Sequence, residues 1–149
     1  MHALDRDGSR LLHYGGVFRP SDLALIRGES AHAARGVGLD ESDTDEFVLA
    51  ISEAVANVIK HAGGVGQLTV FVEDSQLIAD VTDNGPKFRI GAPEATPAPH
   101  DERGRGLWLI RRCVDRLELL SRKVGQRLRL IKFIPTALAA ATVAIAVTA

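Results

Sequence analysis

The chain has 149 residues, 46% apolar and 25% charged, which is one domain's worth of material and enough for a core without disulfide or metal staples. Lys plus Arg is 18 and Asp plus Glu is 19, so the net charge of -1 excludes the broad positive field of a basic nucleic-acid module. A single cysteine, Cys113, excludes an intramolecular disulfide and any cysteine-based zinc cluster. The opening MHALDRDGSR has no apolar h-region, so no secretory signal is expected and a cytoplasmic location is the default.

Leu11–Phe18 reads as a strand, weakened by Gly15-Gly16. Pro20-Ser21-Asp22 opens a helix, with Ser21 or Asp22 as cap, that ends near Gly36–Gly38. Ser42 and Asp43 start a second helix running to about His61, stopped by Gly63-Gly64. Gln67–Glu73 alternates as a strand, Asp74-Ser75 turns, and Leu77–Thr82 returns. Residues 86–103 hold four of the six prolines and are expected to form a lid or a disordered loop. A third helix is expected over Gly106–Asp115. Leu117–Lys123 and Gln126–Ile134 then form a hairpin around Gly125. This order predicts an α+β two-layer sandwich, with a mixed, mostly antiparallel sheet and helices on one face. Residues 1–135 are expected to form the domain, followed by an Ala-rich, uncharged tail at 136–149. The tail is too short to span a bilayer, so no membrane anchoring is expected. A terminal helix docked on the domain or on a second copy is the expected form.

Three stretches carry chemistry. In the second helix, Phe47, Val48, Ile51, Val55, Val58 and Ile59 fall within about a 120° stripe. Glu46, Glu53, Asn57 and Lys60 lie opposite. Glu53 and Asn57 are four apart and therefore neighbours. A carboxylate beside an amide oxygen suits a hard cation such as Mg²⁺, and the carboxylate can also take a proton from a nucleophile. A solvated polar face looks the same. The fourth strand ends in Asp83-Asn84-Gly85-Pro86, a strong turn signal. Asp83 shares the parity of Leu77, Ala79 and Val81 and points to the inner face, where its carboxylate needs a donor. That donor is either an exocyclic amine, such as adenine's, or its own backbone in an Asx-turn. Last comes Arg103-Gly104-Arg105-Gly106-Leu107, read as a turn before the third helix. Its glycines allow close backbone approach, and its N–H groups and arginines attract phosphate. Leu109 stands where a dinucleotide fingerprint needs glycine, and no P-loop motif is present.

Taken in order, Glu53-Ala-Val-Ala-Asn57, Asp83-Asn84-Gly85 and Gly104-Arg105-Gly106-Leu107 resemble the N, G1 and G2 boxes of the Bergerat-fold (GHKL) ATPases. Over roughly residues 10–134 the chain looks most like the anti-sigma-factor serine/threonine kinases. No phosphoacceptor-histidine helix pair precedes these motifs, so a complete sensor histidine kinase is not expected. The resemblance implies ATP and Mg²⁺ as cofactors. It makes Glu53 the general base for a substrate serine, Asn57 the Mg²⁺ ligand, and Asp83 the acceptor of the adenine amine. Gly85 lets the base sit close, and 87–103 forms the ATP lid. Gly104 and Gly106 admit phosphates, and Arg103 or Arg105 neutralises their charge. The implied partners are a sigma factor and an anti-anti-sigma protein phosphorylated on serine, with no direct nucleic acid and often a homodimer. Two departures stand out. Lys87 replaces a second glycine and is placed to reach phosphate, and Arg127–Ile134 lacks the family's late-strand threonine. They motivate an alternative, a module that holds ATP or nothing and acts only by sequestering its partner. A third reading is a detached ATPase domain serving a histidine-containing partner. His61 is read as a helix C-terminal charge, Cys113 as structural and Trp108 as core. His2, His13, His32 and His100 show no metal-ligand spacing.

Overall fold

The structure is a computed structural model that describes residues 3–4, 11–86 and 102–135, with side-chain surroundings for 15–86 and 105–135. One six-stranded sheet carries β1 (Ala3–Leu4), β2 (Leu11–Phe18), β3 (Gly66–Glu73), β4 (Gln76–Asp83), β5 (Arg116–Ser121) and β6 (Gln126–Phe133), in the order β1-β2-β3-β4-β6-β5. Every described pairing is antiparallel, so the expected mixture of directions reduces to one kind. The helices are α1 (Leu23–Gly36), α2 (Glu41–His61) and α3 (Glu102–Cys113), preceded by a 3-10 turn at Pro20–Asp22. The α+β sandwich expected from the sequence is the observed architecture. The short β1 carried too few residues to show a period.

The alternation of β3 and β4 sorts the sheet into two faces. Leu68, Val70, Leu77, Ala79, Val81, Leu128 and Leu130 join the helices in the main core. Phe71, Ile78 and Ile131 form a second buried cluster on the other face. Beside it, Asp80 takes a two-pronged contact from Arg129, with both N···O distances 2.8 Å, and Arg129 lies over the Phe71 ring. The Asp74-Ser75 turn between β3 and β4 has φ of 51° and 59°, the two left-handed residues of a tight hairpin.

The helix α2 lies between α1, α3 and the sheet, so its buried surface is wider than the periodic stripe. Phe47, Ile51, Val55 and Val58 are buried as expected, and Thr44, Ala50, Ser52 and Ala54 join them. Each large apolar side chain removed from water there contributes about 1.5–3 kcal/mol. Lys132 of β6 is buried under α2, where burial opposes its charge. Bonds to Glu46 (2.7 Å) and Asp43 (3.4 Å) outweigh that cost and hold its pKa above the ordinary lysine value. The resulting stability is fully present at neutral pH and fades only as pH rises through that elevated pKa. Arg127 and Arg129 likewise pair within the fold, both with Asp80. No helix among the described residues is long and apolar enough to cross a membrane.

Two helix starts differ from expectation. Asp22 does not cap α1 with its side chain; it accepts the Arg19 N–H instead, at 2.9 Å. At α2 the cap is Asp40, whose carboxylate accepts the Asp43 N–H at 2.7 Å, rather than Ser42 or Asp43. All these residues are good caps, and sequence alone does not rank them. Asp40→Ala is therefore expected to cost about 1 kcal/mol in urea denaturation, while Ser42→Ala stays within about 0.5 kcal/mol. Equal losses would place the cap wrongly.

Candidate functional site

The polar side of α2 is not a solvated face. Glu46, Glu53 and Asn57 are each half-buried, and only Lys60 is exposed. The cause is α3, which packs along this side. A Cβ built on Gly106 would lie 3.1 Å from Asn57 Nδ2 and 3.2 Å from its Oδ1, so glycine sets how closely the two helices approach. Buried in that contact, Asn57 Nδ2 has no hydrogen-bond partner among the described residues. An unpaired buried amide is costly.

At the end of α2, the Asp83-Asn84-Gly85 turn closes on Ala62. A Cβ on Gly85 would come within 2.5 Å of the Ala62 Cβ. Asp83 Oδ1 accepts the Gly85 N–H at 2.7 Å, so the Asx-turn is present. The other oxygen, Oδ2, takes no part in that turn. The two sequence readings of Asp83 are therefore compatible. Asn57 and Asp83 line one cleft, together with Ala54, Val58, Ala62, Val81 and Leu128. The cleft holds about 20 Å³, room for a water. Glu53, one turn before Asn57 on α2, is not among the lining residues.

The Gly-Arg-Gly segment corrects the sequence reading. It is not a turn before the helix. The helix α3 begins at Glu102, so Gly104, Arg105 and Gly106 lie within its first turns. Two glycines in five residues argued against helix, since each costs roughly 1 kcal/mol, but packing against Asn57 overrides that preference. The consequence is chemical. The free N–H groups of a helix start belong to its first turn, Glu102 to Gly104. Gly106 instead provides closeness to Asn57. Arg105 is exposed and Leu107 is buried in the core. The side chain of Arg103 lies outside the described surroundings, and so do Lys87 and most of the lid expected over 87–103; its last two residues, 102–103, are not loop but the first of α3.

Two further residues join the site. His61, four residues beyond Asn57 on α2, has a buried Nε2 with no partner. The sequence places it at the helix C-terminus, where a charge is favourable, and its i+4 spacing from Asn57 is the signal for the second role. Gln126 stands opposite Asp83 in the β4–β6 ladder, on the same face, and is 4% exposed. Only the strand register reveals it, since an amide at the first residue of β6 carries no local signal of its own. Cys113 is buried, and burial followed by the nearby Glu46 carboxylate pushes its thiol pKa up, which suits an inert structural cysteine. Trp108 differs from expectation. It is half-exposed, with the Arg112 guanidinium 4.9 Å from its ring centre.

The fold is thus an antiparallel sheet backed by helices, with Asn57 and Asp83 among the residues that line one cleft. Residues 17–132 match the histidine kinase-like ATPase domain, and the chain belongs to that family. Over 111 residues it is 30% identical to the serine-protein kinase RsbW of Bacillus mycoides (strain KBAB4), covering 66% of this chain and 69% of that one. The serine-protein kinases RsbW of Bacillus cereus (strain ATCC 10987 / NRS 248) and Bacillus anthracis match with the same coverage, at 30% and 29%.

Gly106→Val is expected to lower stability by about 1–3 kcal/mol and to shift the Asn57 side-chain amide signals in NMR spectra. An unchanged Asn57 signal would show that α3 does not approach α2 there.

Proposed function

We propose that this protein is an anti-sigma regulatory factor that uses Mg-ATP to phosphorylate a serine on an anti-anti-sigma antagonist. The observation that carries the reading is the convergence of Asn57 and Asp83 on one cleft, with Gly106 and Gly85 at its closest approaches. The similarity to serine-protein kinases supports the reaction class.

The donor set fits the ligands. Among the described residues, no group of three or more His, Cys, Asp or Glu could hold a metal ion. One amide oxygen, from Asn57, is what a Mg²⁺ needs when it keeps its waters and phosphate oxygens. Bound there, the ion supplies charge neutralisation on the phosphates. Asn57 Nδ2 and His61 Nε2, both buried without partners, donate to or accept from the nucleotide. Asp83 Oδ2 accepts an exocyclic amine, and Gln126 adds an amide beside it. The N–H groups of the first turn of α3 and the charges of Arg103, Arg105 and Lys87 favour phosphate at that end. Glu53 takes the proton of the substrate serine hydroxyl, as general base.

The Pro-rich residues 87–101, ahead of α3, serve as a lid. The sigma factor is held by the domain, and phosphorylating the antagonist keeps it from releasing that sigma factor. The second reading is a sequestering module that takes no nucleotide. Lys87 in place of a glycine and the missing late-strand threonine motivate it, and absence of Mg²⁺-dependent ATP uptake in calorimetry would establish it.

Glu53→Gln is expected to lower serine phosphorylation by roughly 10²–10⁴-fold, with ATP affinity nearly unchanged. Phosphotransfer at the original rate would remove Glu53 from its role, and phosphate found on histidine would remove serine as acceptor. Asn57→Ala is expected to abolish the Mg²⁺ dependence of ATP binding, read by the same titration with and without the cation.

A further inference from the structure

The turn between β5 and β6 has no part in the reading above, yet it touches the Asp83 turn more closely than any other described element. Gly125 is buried with φ +73°, a left-handed conformation that favours glycine. A Cβ built there would collide with the Asp83 carbonyl oxygen and lie 2.6 Å from Asn84 Cα. Both neighbours are backbone, so neither yields cheaply. From the same turn, Arg122 Nη1 reaches the Asp83 carbonyl oxygen at 3.4 Å and Asn84 Oδ1 at 3.5 Å. The Arg122 N–H donates to the Gly125 carbonyl at 3.1 Å, which closes the turn on itself. Ala62 bounds the same segment at Gly85. The Asp83–Gly85 backbone is thus clamped between the end of α2 and the β5–β6 turn.

We infer that Arg122 and Gly125 are positioning residues, holding the Asp83 carboxylate in the orientation that selects the base of the nucleotide. This rests on the nucleotide-binding reading. The physical reason is preorganisation. A carboxylate already fixed loses little freedom when a donor arrives, whereas a loosened one must be ordered at the expense of affinity. The clamp acts on the base end of the site and not on Asn57 or α3. Its loss is therefore felt by ligands that carry a base and ignored by those that do not. The neighbouring Val124 is 59% exposed and has no place in the clamp.

The test titrates the full chain with Mg-ATP and with Mg-tripolyphosphate, which has no base. Gly125→Ala is expected to weaken ATP by roughly tenfold while tripolyphosphate affinity stays within about twofold. Arg122→Ala is expected to move ATP affinity in the same direction by a smaller factor, with Arg122→Lys partly restoring it and Val124→Ser leaving it unchanged. Should Gly125→Ala fail to fold, the exposed Arg122 variants decide. Parallel losses for both ligands, or unchanged ATP affinity in the Arg122 and Gly125 variants, overturn the inference. A wild-type chain that takes up no Mg-ATP overturns the nucleotide reading itself, and the positioning role falls with it.

Discussion

The distance between α2 and α3 at Gly106 governs the rest of the structure. With any larger residue at 106 the helices stand further apart, and Asn57 returns to water as an ordinary surface amide. With glycine, Asn57 is covered and its Nδ2 is buried without a partner. The native state tolerates that unpaired group, which costs roughly 1–3 kcal/mol. Such a debt is consistent with a site completed by a ligand. The same approach also moves the start of α3 and its unpaired N–H groups toward the polar side of α2.

The helix α2 does two kinds of work along one length. Its apolar residues Phe47, Ile51 and Val55 are fully buried and join it to the sheet and to α1. Its polar residues Glu53, Asn57 and His61 follow one another at helical spacing on the side that α3 covers. Lys132 and Glu46 fix the register of α2 on β6 further along. A side chain aimed from so constrained a helix has little freedom to drift, which is what a proton-transfer or ion-binding group needs. The sheet contributes in the same manner. Asp83 ends a strand whose upstream residues are buried on both faces, and the Asp83–Gly85 backbone is wedged against Ala62 and Gly125.

The sequence made much of this legible, for identifiable reasons. The long helix was readable because its apolar period is strong, and β3 and β4 because they alternate around a turn of two polar residues. Asp83 could be assigned to the inner face by counting from Leu77. The start of α3 was not readable, since glycine is a helix breaker by local preference and only contact with Asn57 explains its use at 106. Gln126 and Gly125 were invisible for a different reason. Their importance depends on register between strands 43 residues apart, where Asp83 faces Gln126. The orphaned Nε2 of His61 depends on what buries it, which no local pattern encodes.

The central claim is that one bound nucleotide spans Asn57 and Asp83. The most direct measurement replaces Mg²⁺ by paramagnetic Mn²⁺ in a titration with ATP, followed by NMR. One shared site requires the Asn57 side-chain amide and the Gly106 backbone signal to broaden first, with Gly85 shifting as the base arrives. Val17 and Glu118, on the other face of the sheet, should stay sharp. Broadening centred on that other face, or none at saturating Mn-ATP, would contradict the claim.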